Sequence, residues 1–152
     1  MITRVIVAGL ILQLAIAVPA CAKGTNDKIP NQQSIDELAA RASQAQPRDQ
    51  CFLYAELVYQ MTEFSLRQYA AGNFETAADL LKRAQELAGK IHLAAGIDDK
   101  RLKNAEILLS HSAFRLNEYL HSSSIEDRPL IEQTLAEVNR AQTDAMMKVF
   151  KK

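Results

Sequence analysis

The three histidines and two cysteines are the residues of this chain best suited to chemistry, and their spacing offers little of it. Glu118-Tyr119-Leu120-His121 sets a carboxylate and an imidazole one helical turn apart, so that both could aim at one metal ion. A two-metal site in a helical bundle needs a second Glu-x-x-His and two more inward carboxylates, and no second copy exists. The pair therefore reads as solvated groups near a helix end, where histidine also suits the negative end of the helix dipole. His111 lies between Ser110 and Ser112 with no positioned acid or nucleophile, and His92 stands apart from both other histidines. Cys51 has no histidine partner in sequence and reads as a small residue packed near a helix start. Paired-cysteine zinc motifs, haem attachment motifs, Gly-rich phosphate loops, Gly-x-Ser-x-Gly turns and His-Glu-x-x-His helices are all missing. Asp98-Asp99 and Glu126-Asp127 fall at expected helix starts, where capping accounts for them without acid–base catalysis. The expectation is a non-enzymatic chain, with no catalytic residue, no metal ligand and no cofactor assigned.

Composition points the same way. The 152 residues are 48% hydrophobic and 24% charged, enough for one ordinary core. Basic and acidic residues number 18 each, and residues 1–22 hold Arg4 and no acid, which leaves 17 against 18 in the remainder. Nucleic acid is thereby disfavoured as a partner, since meeting phosphates requires a basic field. There is no Trp, there are only five Gly and four Pro, and helix-forming residues abound.

Residues 1–22 (MITRVIVAGLILQLAIAVPACA) have the three-part layout of a secretory signal peptide: Arg4, an apolar run from Val5 to Val18 broken by Gln13, then small residues. The run is short of the roughly 20 residues that cross a bilayer, so no transmembrane span is expected in the mature chain. Ala20-Cys21-Ala22 suits cleavage before Lys23, giving a periplasmic or secreted protein. Val18-Pro19-Ala20-Cys21 resembles the lipobox of bacterial lipoproteins, which implies lipidation and anchoring at Cys21; Val18 and Pro19 depart from that motif, so simple cleavage is favoured. Cleavage after Ala22 would leave Cys51 as the single thiol, either buried or a route to a disulfide-linked dimer.

Residues 23–33 are polar and aperiodic and read as a flexible tether; residues 34–152 read as a single helical domain. Ser34 and Glu37 form a capping box for a short helix ended by Pro47. Apolar residues three and four apart then predict four longer helices: about 48–71, 74–95, 98–121 and 129–149. Gly72-Asn73 supplies a helix-ending conformation and an N-cap, Gly96-Ile97-Asp98 repeats the device, and loops this short force antiparallel neighbours. The expected fold is all-α: two antiparallel hairpins, 48–95 and 98–150, plus the short N-terminal helix.

The first helices of the two hairpins align at an offset of fifty residues. Ala55/Ala105, Glu56/Glu106, Phe64/Phe114, Leu66/Leu116 and Tyr69/Tyr119 coincide, while Arg83-Ala84-Gln85 falls on Arg140-Ala141-Gln142 at a longer offset. This reads as a duplicated helix-turn-helix unit, with two unrelated amphipathic hairpins as the alternative. Tyr69 and Tyr119, equivalent under the repeat, are the candidate interaction face; aromatics at helical spacing otherwise belong to a core. At the C-terminus, Lys148, Lys151 and Lys152 interrupt Met146, Met147, Val149 and Phe150, a solvated helix end or a weak dock for an anionic envelope surface.

The segment Ala71–Leu87 (AGNFETAADLLKRAQEL) resembles the turn and second helix of a tetratricopeptide repeat through Gly72, Phe74, Ala77, Leu81, Ala84 and Leu87. Met61, Ser65 and Gln68 stand where that family prefers Trp, Gly and Tyr, and Gly89 stands for its closing Pro. The resemblance implies a helical-hairpin scaffold for protein partners, with close helix approach at Ala77 and Ala84 and with Phe74 and Leu81 filling gaps; it implies no fixed ligand site. The whole chain more loosely resembles exported bacterial helical proteins to which no activity attaches. The expected function is an exported helical-hairpin module for protein interaction or envelope structure, with a protein partner in the cell envelope. The rival is a four-helix bundle holding a small ligand or metal in the periplasm. An exposed apolar groove would favour the first, and inward-facing His or carboxylate groups the second.

Overall fold

Five α-helices and no strand make up the residues that the computed structural model describes, 29–91 and 97–150. The expected signal segment, Cys21, residues 23–28 of the tether, His92, Gly96, Lys151 and Lys152 lie outside those residues.

Helix α1 (Gln32–Gln44) begins earlier than the Ser34–Glu37 pattern suggests. Asn31 is the cap: its side chain accepts the Ser34 amide at 2.9 Å, and the Ser34 hydroxyl accepts the Asn31 amide at 3.0 Å. Ser34 thus serves as the third residue of the box, while Glu37 accepts a bond from Gln33 instead. Helix α2 (Pro47–Ala70) starts on Pro47, whose missing N–H is one the first turn does not use. Gly72, at φ 81°, reverses the chain in the left-handed region that a side chain disfavours. Asn73 does not cap helix α3 (Phe74–Gly89) through its side chain, which donates to Gln68.

Helix α3 stops at Gly89, short of the expected Ala95. Beyond it the chain leaves the helical path and buries Ile91. The Arg140 guanidinium, arriving from α5, donates to the Ala88 carbonyl at 2.9 Å and supplies a partner for a carbonyl near the helix end. Helix α4 (Asp99–Ser122) is capped by Asp98, which accepts the Arg101 amide at 2.9 Å. Before α5 (Arg128–Phe150), Ser124 and Asp127 bond each other in both directions.

In packing, α2 lies against α3 and α4, α5 lies against α3 and α4, and α1 lies against α2. Buried alanines on every one of these long helices (Ala55, Ala77, Ala105 and Ala141 among them) let the backbones approach closely. One core cluster joins α2 to α5; a second, formed by Ile35, Leu38, Leu57, Met61 and Leu80, sits between α1 and the first hairpin. Buried hydroxyls are satisfied within this framework: Ser65 donates to the Ala77 carbonyl across the α2–α3 crossing, and Ser112 and Thr134 bond back along their own helices. Thr62 and Tyr69 are the exceptions, both buried with hydroxyls that make no hydrogen bond.

Candidate functional site

The residues first suspected of chemistry do not converge. Glu118 pairs with Arg115 at 2.9 Å, and Arg115 also reaches Glu63 on α2 at 2.9 Å. The His121 Nδ1 faces the Asn117 carbonyl at 2.7 Å, one turn back on its own helix. His111 is exposed and meets only the edge of Tyr59, ring centroids 6.4 Å apart. Among the described residues no group of three His, Cys, Asp or Glu side chains could hold a metal ion. Cys51 is buried, and that burial pushes its thiol above the ordinary range, partly offset by the Lys148 charge. A thiol so placed is a poor nucleophile and cannot reach a second chain without opening the fold.

Tyr69 and Tyr119 are brought together, stacked with ring centroids 5.1 Å apart at 29°. The pair is a junction between the ends of α2 and α4, and this corrects the expectation of a two-tyrosine face. Tyr69 is only 4% exposed, so it offers no surface to a partner, while Tyr119 is half-buried. The Tyr69 hydroxyl makes no hydrogen bond; burial first, then the nearby Asp127 charge, holds the phenol neutral far above its ordinary range. Phe74, expected to fill a gap between turns, is instead 58% exposed and meets Tyr69 obliquely.

The surface that stands out lies on α4 and α5. Ile107, Phe114, Met146, Met147 and Phe150 are all large apolar side chains left in solvent. A groove of about 650 Å³ runs between the first half of α4 and the end of α5, lined by Lys103, Glu106, Ile107, Met146, Val149 and Phe150. Glu106, which lines the groove from α4, accepts a hydrogen bond from Gln142 of α5 at 3.3 Å. A second cavity, about 520 Å³ between α2 and α4, is more polar: Glu56, Tyr59, Glu63 and Arg67 line it, and Arg67 donates to the Pro30 carbonyl. Burial raises the Glu56 pKa, against a smaller lowering by Arg41.

Ile107 and Phe114 were not singled out by periodicity, although the match of Phe64 to Phe114 was there to be read. The fifty-residue offset also puts Ile107 opposite Leu57. Leu57 is 1% exposed and Phe64 is half-buried, both against the cluster that α1 completes, whereas Ile107 is 49% and Phe114 61% exposed. No described helix is long and apolar enough to cross a membrane. Compared with known protein families, curated proteins and solved structures, the chain matches none.

Proposed function

We propose that this chain is an exported, non-enzymatic helical-hairpin module that binds another protein or supports an envelope assembly. Export rests on the signal-like layout of residues 1–22. The single observation that carries the binding reading is the uncovered apolar surface of α4 and α5, with Phe114 and Phe150 at 61% and 78% exposure. Ile107, Met146 and Phe150 share one groove, and exposed apolar side chains gathered in this way mark interaction sites more often than isolated ones do. The rival, a bundle that holds a ligand or metal within, has less support: the buried polar side chains among the described residues are the hydroxyls of Thr62, Ser65, Ser112, Ser123 and Thr134. The tetratricopeptide-like scaffold belongs to the same proposal, resting on the residue matches in Ala71–Leu87.

The test is capture of partners from envelope extracts by the tagged protein, beside a variant with Ile107→Asp and Phe114→Asp. A specific partner retained by the first and lost by the second supports the module. Retrieval of no protein, with a metal or small molecule found by mass spectrometry in the purified chain, moves the reading to the ligand-holding bundle. Cell fractionation with N-terminal sequencing tests export, a mature start at Lys23 or an acylated Cys21 separating the two processing routes.

A further inference from the structure

Within the molecule a helix is already seated on the face of α2 that matches this face of α4. α1 crosses the matching face of α2 in the antiparallel sense: Ser34 near its start bonds Gln60 at 3.3 Å, Arg41 near its end approaches Glu56 at 3.8 Å, and Gln50 reaches the Ala42 carbonyl at 3.0 Å. What it covers is Leu57, Met61 and part of Phe64. Fifty residues on, Ile107 and Phe114 keep the apolar character of Leu57 and Phe64, while His111 replaces Met61. Lys100, Lys103, Ile107, Ser110, Phe114 and Asn117 follow one another at alternating spacings of three and four, the stripe that an opposing helix fits. Charge is distributed unevenly along it. Lys100 and Lys103 precede the apolar pair, Glu118 follows it with one oxygen held by Arg115 at 2.9 Å, and Lys103 has no ion-pair partner among the described residues.

We propose that this stripe docks a second copy of the chain, α4 against α4, antiparallel about a twofold axis passing between Ser110 and His111. The inference rests on the reading of the chain as an interaction module. About that axis Ile107 meets the partner's Phe114 and Lys103 meets the partner's Glu118, and each contact occurs twice because the surface is complementary to itself. At the centre, small Ser110 leaves room for the partner's His111. A parallel arrangement would instead set Lys103 against Lys103, so the charges select the antiparallel register. Met146 and Phe150 widen the apolar surface on the α5 side. The polar replacements for the residues that α1 covers, Lys103 for Leu53 and His111 for Met61, suit a reversible contact that leaves the separated chain soluble.

Sedimentation velocity over micromolar to millimolar concentrations tests this on the full chain, purified as the cell processes it. The wild type is expected to dimerise with concentration. Ile107→Asp with Phe114→Asp is expected to raise the dimer dissociation constant by at least about thirtyfold, with helicity and melting unchanged because both side chains are exposed. Lys103→Glu is expected to raise it roughly fivefold, and adding Glu118→Lys to bring it back towards wild type. A wild type monomeric throughout, a dimer indifferent to the Asp pair, or a charge swap that fails to recover affinity overturns the arrangement. If the wild type is monomeric yet captures a different protein that the Asp pair loses, self-docking falls and the module reading stands; if it captures nothing, both fall.

Discussion

The outer faces of α2 and α4 carry the same kinds of apolar residue at the same spacing, yet one is interior and the other is surface. Leu57 and Phe64 lie under α1; Ile107 and Phe114 lie under solvent. The residues around them differ in the matching sense. Leu53, Tyr54 and Met61 beside the covered pair become Lys103, Asn104 and His111 beside the open one. A covered face has to be apolar at its margins as well as its centre, because water is excluded from all of it. An open face that keeps two apolar residues inside a polar frame fits the proposed reversible contact, with a small dry centre and a wet rim.

This contrast can be broken most directly by deleting the same bulk on each side. Leu57→Ala is expected to cost about 3 kcal/mol, a cavity next to α1 that the core cannot collapse, while Ile107→Ala changes stability by less than about 0.5 kcal/mol; urea unfolding followed by circular dichroism reads both, and equal losses would mean the two faces are buried alike. Loosening the cover comes next. Asn31→Ala removes the cap of α1 and is expected to cost about 1 kcal/mol, with faster amide exchange in the first turn of α1 and none in α4.

The stacked tyrosines sharpen the comparison from inside. Tyr69→Phe removes a buried hydroxyl that lies near Asp127 without a well-formed hydrogen bond and is expected to change stability by less than about 1 kcal/mol, whereas Tyr119→Phe, at a half-buried position, leaves the melting temperature unchanged within error. Smallest is the effect of Glu56, which lies in the polar cavity between the two first helices. Its folded-state pKa is raised, so over the interval above the ordinary carboxylate range the folded chain holds a proton that the unfolded chain has released. Stability therefore falls as pH rises through that interval and is recovered below it. Glu56→Gln is expected to remove this slope and to stabilise the neutral-pH protein by less than about 1 kcal/mol; thermal melts across pH 4 to 8 check it.

The helices were legible because apolar residues three and four apart can share only one face of a helix, and the all-α fold follows from five such stripes. Their ends were less so. The Ser34–Glu37 pair imitates a capping box, and only the bond from Asn31 shows which residue stands outside the helix. The end of α3 depends on Ile91 entering the core and on Arg140, fifty-two positions away, neither of which leaves a local mark. The tyrosine pair could be matched by the offset, but an offset relates two positions without stating whether they face each other, and here they do. Periodicity has the same blindness at Phe114: it says which residues share a face, never whether anything covers it.

The reach of Arg140 to the Ala88 carbonyl bears on how the molecule comes apart. Hairpins that touch only through apolar faces can melt singly, each as its own cooperative unit. Here the last turn of α3 borrows a donor from α5, Glu63 of α2 is held by Arg115 of α4, and one tyrosine from each hairpin completes the stack. Loss of either hairpin thus undoes polar and aromatic partners in the other. The two halves are therefore expected to unfold as one transition, and neither to keep its fold when cut out alone.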